Sequence, residues 1–166
     1  MSEFSRVIAA DAIGRTGPLA LTASAEECAA VAARLMLEEV SALSLSAALE
    51  PQDDGALLTG TVAAQLVQPC AATGLPLPAT VTAPFTLRFV REWAVPSEAD
   101  SEVELDDSAC DLLPFESGGV DVGEAAVQTL ALALDPYPRH PDADRILAER
   151  GVLSEGQAGP FAALAA

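Results

Sequence analysis

The chain has 166 residues, enough for one domain that buries roughly 70% of its unfolded surface without a disulfide or metal. Its 25 acidic residues oppose 8 basic ones, all of them arginine, for a net charge of −17. The absence of lysine excludes Schiff-base chemistry and a P-loop cation, and no apolar run approaches the ~18 residues of a membrane helix. The opening MSEFSRVIAADAIG lacks the basic-then-apolar layout of a secretory signal, so the expected location is the cytoplasm, with no membrane partner. The acidity is also local, because residues 92–138 hold twelve acids and no base. Such a run reads as a solvated, flexible loop, or as a surface that attracts a basic partner and repels nucleic acid.

In chain order, Phe4 to Ile8 predicts a first strand, and Leu19 to Thr22 a second after the Gly17-Pro18 break. Ser24 and Glu27 have capping-box spacing, and Cys28, Val31, Ala32, Leu35 and Met36 recur at helical intervals. A helix over about 25–38 follows, with these residues on its apolar face. Leu43, Leu45, Ala47 and Leu49 alternate with polar neighbours, as do Leu58, Val62, Ala64 and Leu66, with a turn at Pro51 to Gly55. Beyond a Pro-, Gly- and Leu-rich connection, Val81, Ala83, Phe85, Leu87 and Phe89 form a third alternating run, in which Pro84 marks an edge or a bulge.

The stretch 94–119 reads as an acidic loop carrying one short strand near Val103 and Leu105. Asp121 and Glu124 have cap-like spacing ahead of a helix that stops at Asp135-Pro136, and a short helix spans Ala143 to Arg150. The terminal GPFAALAA is a small apolar anchor or a frayed tail. The expected fold is a single α+β domain over 1–166, an antiparallel meander or partly closed barrel covered by two to three helices.

Catalytic signals are weak. The single histidine, His140, follows Arg139 and precedes Pro141, a loop setting unlike the buried position a Ser–His–Asp triad needs. Zinc would require Cys28, Cys70, Cys110 and His140 to converge without a C-x-x-C half-site, and an odd count of scattered cysteines suits small buried hydrophobes. The carboxylates Glu98, Asp100, Glu102, Glu104, Asp106 and Asp107 lie in a polar run and read as an acidic surface. A hydrolase would need a deep pocket with at least two convergent acids. Direct RNA contact would need folding to gather Arg88, Arg91, Arg139, Arg145 and Arg150 near Tyr137, whereas pairing with nearby carboxylates is the simpler expectation. No enzyme activity, metal, cofactor or small-molecule substrate is expected.

Two stretches carry a resemblance. Residues 62–90, VAAQLVQPCAATGLPLPATVTAPFTLRFV, fit a V-x-Q-x-C-x-x-T-x-x-P-hydrophobic pattern through Leu66 or Val67, Cys70, Thr73, Pro76 or Pro78, Phe85 and Phe89. Residues 120–143 open on Asp121, Gly123 and Glu124 and close on Leu130, Leu132, Leu134, Pro136, Tyr137, Pro138 and Arg139. With the acidic segment between them, these stretches resemble the YceD-like large ribosomal RNA subunit accumulation proteins. The resemblance implies a non-enzymatic role in accumulation or processing of 23S ribosomal RNA during bacterial ribosome biogenesis. It also implies a ribosomal protein or a large-subunit precursor particle as partner. Of the paired cysteines some relatives carry, this chain has only Cys70, so no metal is implied.

The residues themselves read structurally at first. Cys70 and Thr73 fall at a hairpin end, while Asp121 and Glu124 suit a helix N-terminus. Pro136 to Arg139 is stiff and extended, with Tyr137 beside Arg139, and such a pair anchors a contact at little entropic cost. The candidate interaction residues are therefore Cys70, Thr73, Glu124, Pro136, Tyr137 and Arg139.

Overall fold

The computed structural model describes residues 3–90, 111–115 and 118–152. Its strands are β1 (Val7–Ala9), β2 (Leu19–Thr22), β3 (Glu39–Gln52), β4 (Gly55–Pro69), β5 (Pro76–Val90), β6 (Asp111–Pro114) and β7 (Gly119–Asp121). The helices are α1 (Ala25–Arg34), α2 (Val122–Ala133) and α3 (Ala143–Glu149). The main sheet is open, in the order β2-β3-β4-β5-β6, and a small second sheet pairs β1 with β7. All pairings are antiparallel except β5 with β6, which is parallel. The α+β meander expected from the sequence is present, and the sheet does not close into a barrel.

Alternation builds the sheet. Leu43, Leu45 and Leu49 of β3 and Leu58, Val62 and Leu66 of β4 are all buried on one face, where Val31 of α1 and Val127 and Leu130 of α2 complete the core. Each fully buried leucine or valine stabilises the fold by roughly 1.5–3 kcal/mol. On the other face, register aligns Thr22, Ser44, Ala63 and Thr82 across four strands, and beside them Ala20, Ser46, Thr61 and Pro84. Pro84 lies in the part of β5, Pro76 to Thr86, that pairs only with β4 among the described residues, so its edge position is as expected. The strand begins earlier than its alternation suggested. Pro76 and Pro78 belong to it and leave only residues 70–75 as the connection.

α1 starts as predicted. The Ser24 hydroxyl accepts from the Glu27 N–H at 3.3 Å, and the Glu27 carboxylate accepts from the Ser24 N–H at 2.8 Å. Arg6 donates to the same carboxylate at 2.7 Å and, ahead of the Ser24 contact, lowers its pKa to about 2. The helix ends earlier than expected, at Arg34. The Leu37 N–H returns to the Ala32 carbonyl at 2.9 Å, which closes the helix one turn before Glu38. Met36 consequently leaves the apolar face and is 84% exposed.

Two other expectations need correction. The first strand is Val7–Ala9, and Phe4 is a fully buried core residue under the Arg6 guanidinium, 4.9 Å from its ring centre. Strand β6 stands inside the stretch read as loop, because four residues are too short to display alternation. The expected strand near Val103 and Leu105 lies outside the described residues. No helix among the described residues is long and apolar enough to cross a membrane.

Candidate functional site

Where β4 passes into β5, the chain makes a loop stitched to a distant segment. Within the loop the Cys70 N–H donates to the Leu75 carbonyl and the Gly74 N–H to the Cys70 carbonyl, both at 2.8 Å. The Thr73 hydroxyl accepts from the Leu75 N–H at 3.4 Å. Three further bonds reach about seventy residues along the chain. The Ala71 N–H donates to the Pro138 carbonyl at 2.8 Å, and the His140 N–H to Cys70 Sγ at 3.3 Å. Gln68, a buried polar side chain, donates from Nε2 to the Asp135 carbonyl at 3.1 Å.

Residues 135–140 are thereby held against the end of the sheet. Pro136 and Pro138 limit their own backbone freedom, and Asp135 Oδ1 accepts from the Tyr137 N–H at 2.9 Å. Tyr137 is left 79% exposed on a fixed backbone. Arg139 sits beside it, paired with Asp144 of α3.

Cys70 is buried, and its thiol is lowered to about 7 from the usual value of 9. The Thr73 hydroxyl is the largest cause, followed by the His140 N–H, since both donate to the thiolate. Cys28 behaves oppositely, because burial on α1 pushes its thiol up. The two cysteines share the character of small buried hydrophobes in the sequence and are chemically distinct in the fold. The ring of His140 plays no part at Cys70: its Nδ1 accepts from the Asp142 N–H at 3.0 Å.

Five of the six candidate interaction residues meet here: Cys70, Thr73, Pro136, Tyr137 and Arg139. Glu124 does not. Asp121 caps α2, accepting from the Gly123 and Glu124 N–H groups at 3.1 Å each. The Glu124 carboxylate instead takes two bonds from Arg34, at 2.6 and 2.7 Å, while Glu3 accepts a third at 2.8 Å. This ties α1, α2 and the N-terminal arm together, across a sequence separation that spacing rules do not reach. Glu98, Asp100, Glu102, Glu104, Asp106 and Asp107 lie outside the described residues, as do Arg91 and Cys110.

Arg139, Arg145 and Arg150 lie in or beside α3, where Arg139 and Arg145 pair with Asp144, Asp142 and Glu149, and Arg88 is remote from them. Arg88 pairs with Asp54 at 2.8 Å, and the residue opposite it on β4 is Leu57. From Leu57 to Pro69, at about 3.3 Å per residue, is roughly 40 Å, so Arg88 and Arg139 sit at opposite ends of the sheet. Two hollows are relevant to catalysis. A groove of about 600 Å³ between β5 and α2 is walled by Phe85, Leu113, Gln128, Thr129 and Leu132, with no charged side chain. A smaller one, about 50 Å³, contains Asp121 and Glu124, whose carboxylates are committed to the helix cap and to Arg34. Among the described residues no three His, Cys, Asp or Glu side chains are grouped to hold a metal.

A family model described as large ribosomal RNA subunit accumulation protein YceD matches residues 58–166. No curated protein and no solved structure matches the chain. The matched region starts within β4 and takes in both stretches that carried the resemblance, with the whole stitched loop between Cys70 and His140.

Proposed function

The chain belongs to the YceD family, and from that premise we propose that it is a non-enzymatic cytoplasmic factor supporting accumulation and processing of large-subunit ribosomal RNA. It acts through protein contacts with a basic ribosomal protein or a large-subunit precursor particle. The chain works as a single unit, in which the acidic stretch 94–119 screens the partner's positive charge. The observation that carries this reading is the pinned segment 135–140, which presents Tyr137 from a backbone fixed at Gln68, Cys70 and Ala71. A contact built on a rigid backbone loses little entropy on binding. The neighbouring Arg139 is already satisfied by Asp144, and Arg88 stands at the far end, which supports a protein partner over a phosphate-binding arginine patch.

Deleting the protein is expected to lower the ratio of large- to small-subunit ribosomal RNA selectively, with precursor particles accumulating. Quantifying both RNAs in cells with and without the chain checks this, and an unchanged ratio refutes the reading. A Tyr137→Ala variant at normal abundance is expected to reproduce part of the loss.

A further inference from the structure

Resting on the protein-contact reading above, we propose that the β4–β5 end of the sheet is a docking face for a basic protein segment with apolar anchors, and that Met36 is its second anchor beside Tyr137. Met36 enters the site through the termination of α1. The Met36 N–H reaches the Ala33 carbonyl at 3.4 Å and the Leu37 N–H reaches that of Ala32, the paired bonds of a Schellman motif. The first donor of such a pair takes a left-handed backbone, and φ at Met36 is 54°, the one positive φ outside glycine among the described residues. Glycine fills such a position without steric cost, and methionine does not. The fold therefore holds a long, flexible apolar side chain where its backbone favours none, and leaves it 84% exposed.

Placement joins it to the pinned segment. Two residues past Met36, the Glu38 N–H bonds the Val67 carbonyl at 3.0 Å. Tyr137 lies between Asp135, bonded to Gln68, and Pro138, bonded to Ala71. Both anchors thus hang from one short stretch at the end of β4. Leu132, on the last turn of α2, precedes Asp135 by three residues. Met36, Leu132 and Tyr137, at 84%, 83% and 79%, are the three most exposed large apolar side chains among the described residues. Met36 and Tyr137 belong to segments secured at this end, whereas Leu132 stands over the groove against Ala83 to Leu87, farther along β5.

The rim gives the partner's sign. Glu38, Glu39 and Asp135 are exposed there, and none enters an ion pair among the described residues. Apolar anchors inside a negative rim suit a segment whose own apolar side chains are flanked by arginine or lysine, and they repel a polyphosphate backbone.

The test uses the full chain and its Met36→Gly variant, because glycine suits the backbone and the variant keeps its fold. Co-sedimentation with large-subunit precursor particles from cells lacking the protein is measured beside thermal unfolding. Met36→Gly is expected to weaken retention by roughly tenfold, the scale of an interface hot spot, while its unfolding midpoint holds or rises. A synthetic peptide with leucine and tryptophan anchors between arginines is expected to bind the wild-type chain, by fluorescence anisotropy, and to displace it from the particles. Its glutamate-flanked counterpart and a single-stranded RNA are expected to do neither. Undiminished retention and peptide binding by Met36→Gly overturn the docking face, as does equal displacement by the acidic peptide or the RNA. Wild-type chain that ignores the particles yet loses the basic peptide on Met36→Gly sinks the assembly reading and leaves the docking face standing.

Discussion

At one end of the sheet β3 passes into β4 through Asp53 and Asp54 alone, with Arg88 of β5 closing over Asp54. At the other end β4 passes into β5 through six residues that, with Gln68, add to their own turn bonds three partners from 135–140. The first end is made by neighbours in sequence and by strand register, and it presents charged side chains to water. The second is made by three long-range bonds, and it presents Tyr137 on a fixed backbone beside a buried thiol of altered acidity. A self-contained hairpin can vary without consulting the rest of the chain. A stitched end couples two distant stretches, so a change in either one moves the surface they share.

The contrast can be tested from both sides. The largest effect is expected at the tight end. A methyl group on Gly55 would run into the carbonyl oxygen of Phe89, so Gly55→Ala should destabilise the fold by about 2 kcal/mol. Urea unfolding measures this, and a loss below half that size would mean the hairpin yields more easily than its register suggests.

The stitched end should be sensitive to pH. A thiol whose folded pKa is depressed adds stability that is fully present above the unfolded value of 9 and is lost as pH falls through about 7. Between pH 7 and 9 the wild-type chain should therefore gain stability relative to Cys70→Ala. Thr73→Ala should shift the thiol's titration upward and slow its alkylation near neutral pH by roughly threefold or more. Both are measurable in a Cys110→Ser background, and a flat difference between wild type and Cys70→Ala would show that the thiolate is not held by these donors. The smallest effect belongs to the exposed pair at the tight end, where Asp54→Asn should leave the urea midpoint almost unchanged, and the residual difference should vanish in high salt.

Legibility in the sequence followed the same division. The capping box at Ser24 and Glu27, strand β2, the three long alternating strands and the Asp121 cap were readable, because each is set by spacing within a few residues. Cys70, Thr73 and Pro136 to Arg139 were readable as separate candidates. Their convergence was not, since it depends on backbone bonds spanning about seventy residues. Glu124 looked like half of a capping pair and is bound to Arg34, ninety residues away. Met36 looked like core because helical periodicity was extended past the point where the Leu37 N–H closes the helix. A left-handed residue with no glycine to announce it leaves no mark in composition.

The prolines of β5 have a consequence for colloidal behaviour. The Val90 carbonyl accepts from the Phe115 N–H, so the backbone groups of even-numbered β5 residues point away from β4, toward the side that over 76–86 has no strand among the described residues. Pro76, Pro78 and Pro84 are all even-numbered. Each removes an N–H that a foreign strand would otherwise use, and between Pro76 and Pro84 only Thr80 and Thr82 remain as donors. A long hairpin stack whose last strand has a side unpaired among the described residues is an invitation to fibre growth. This sequence withdraws it with missing protons, on a strand whose single charge, Arg88, lies beyond the prolines.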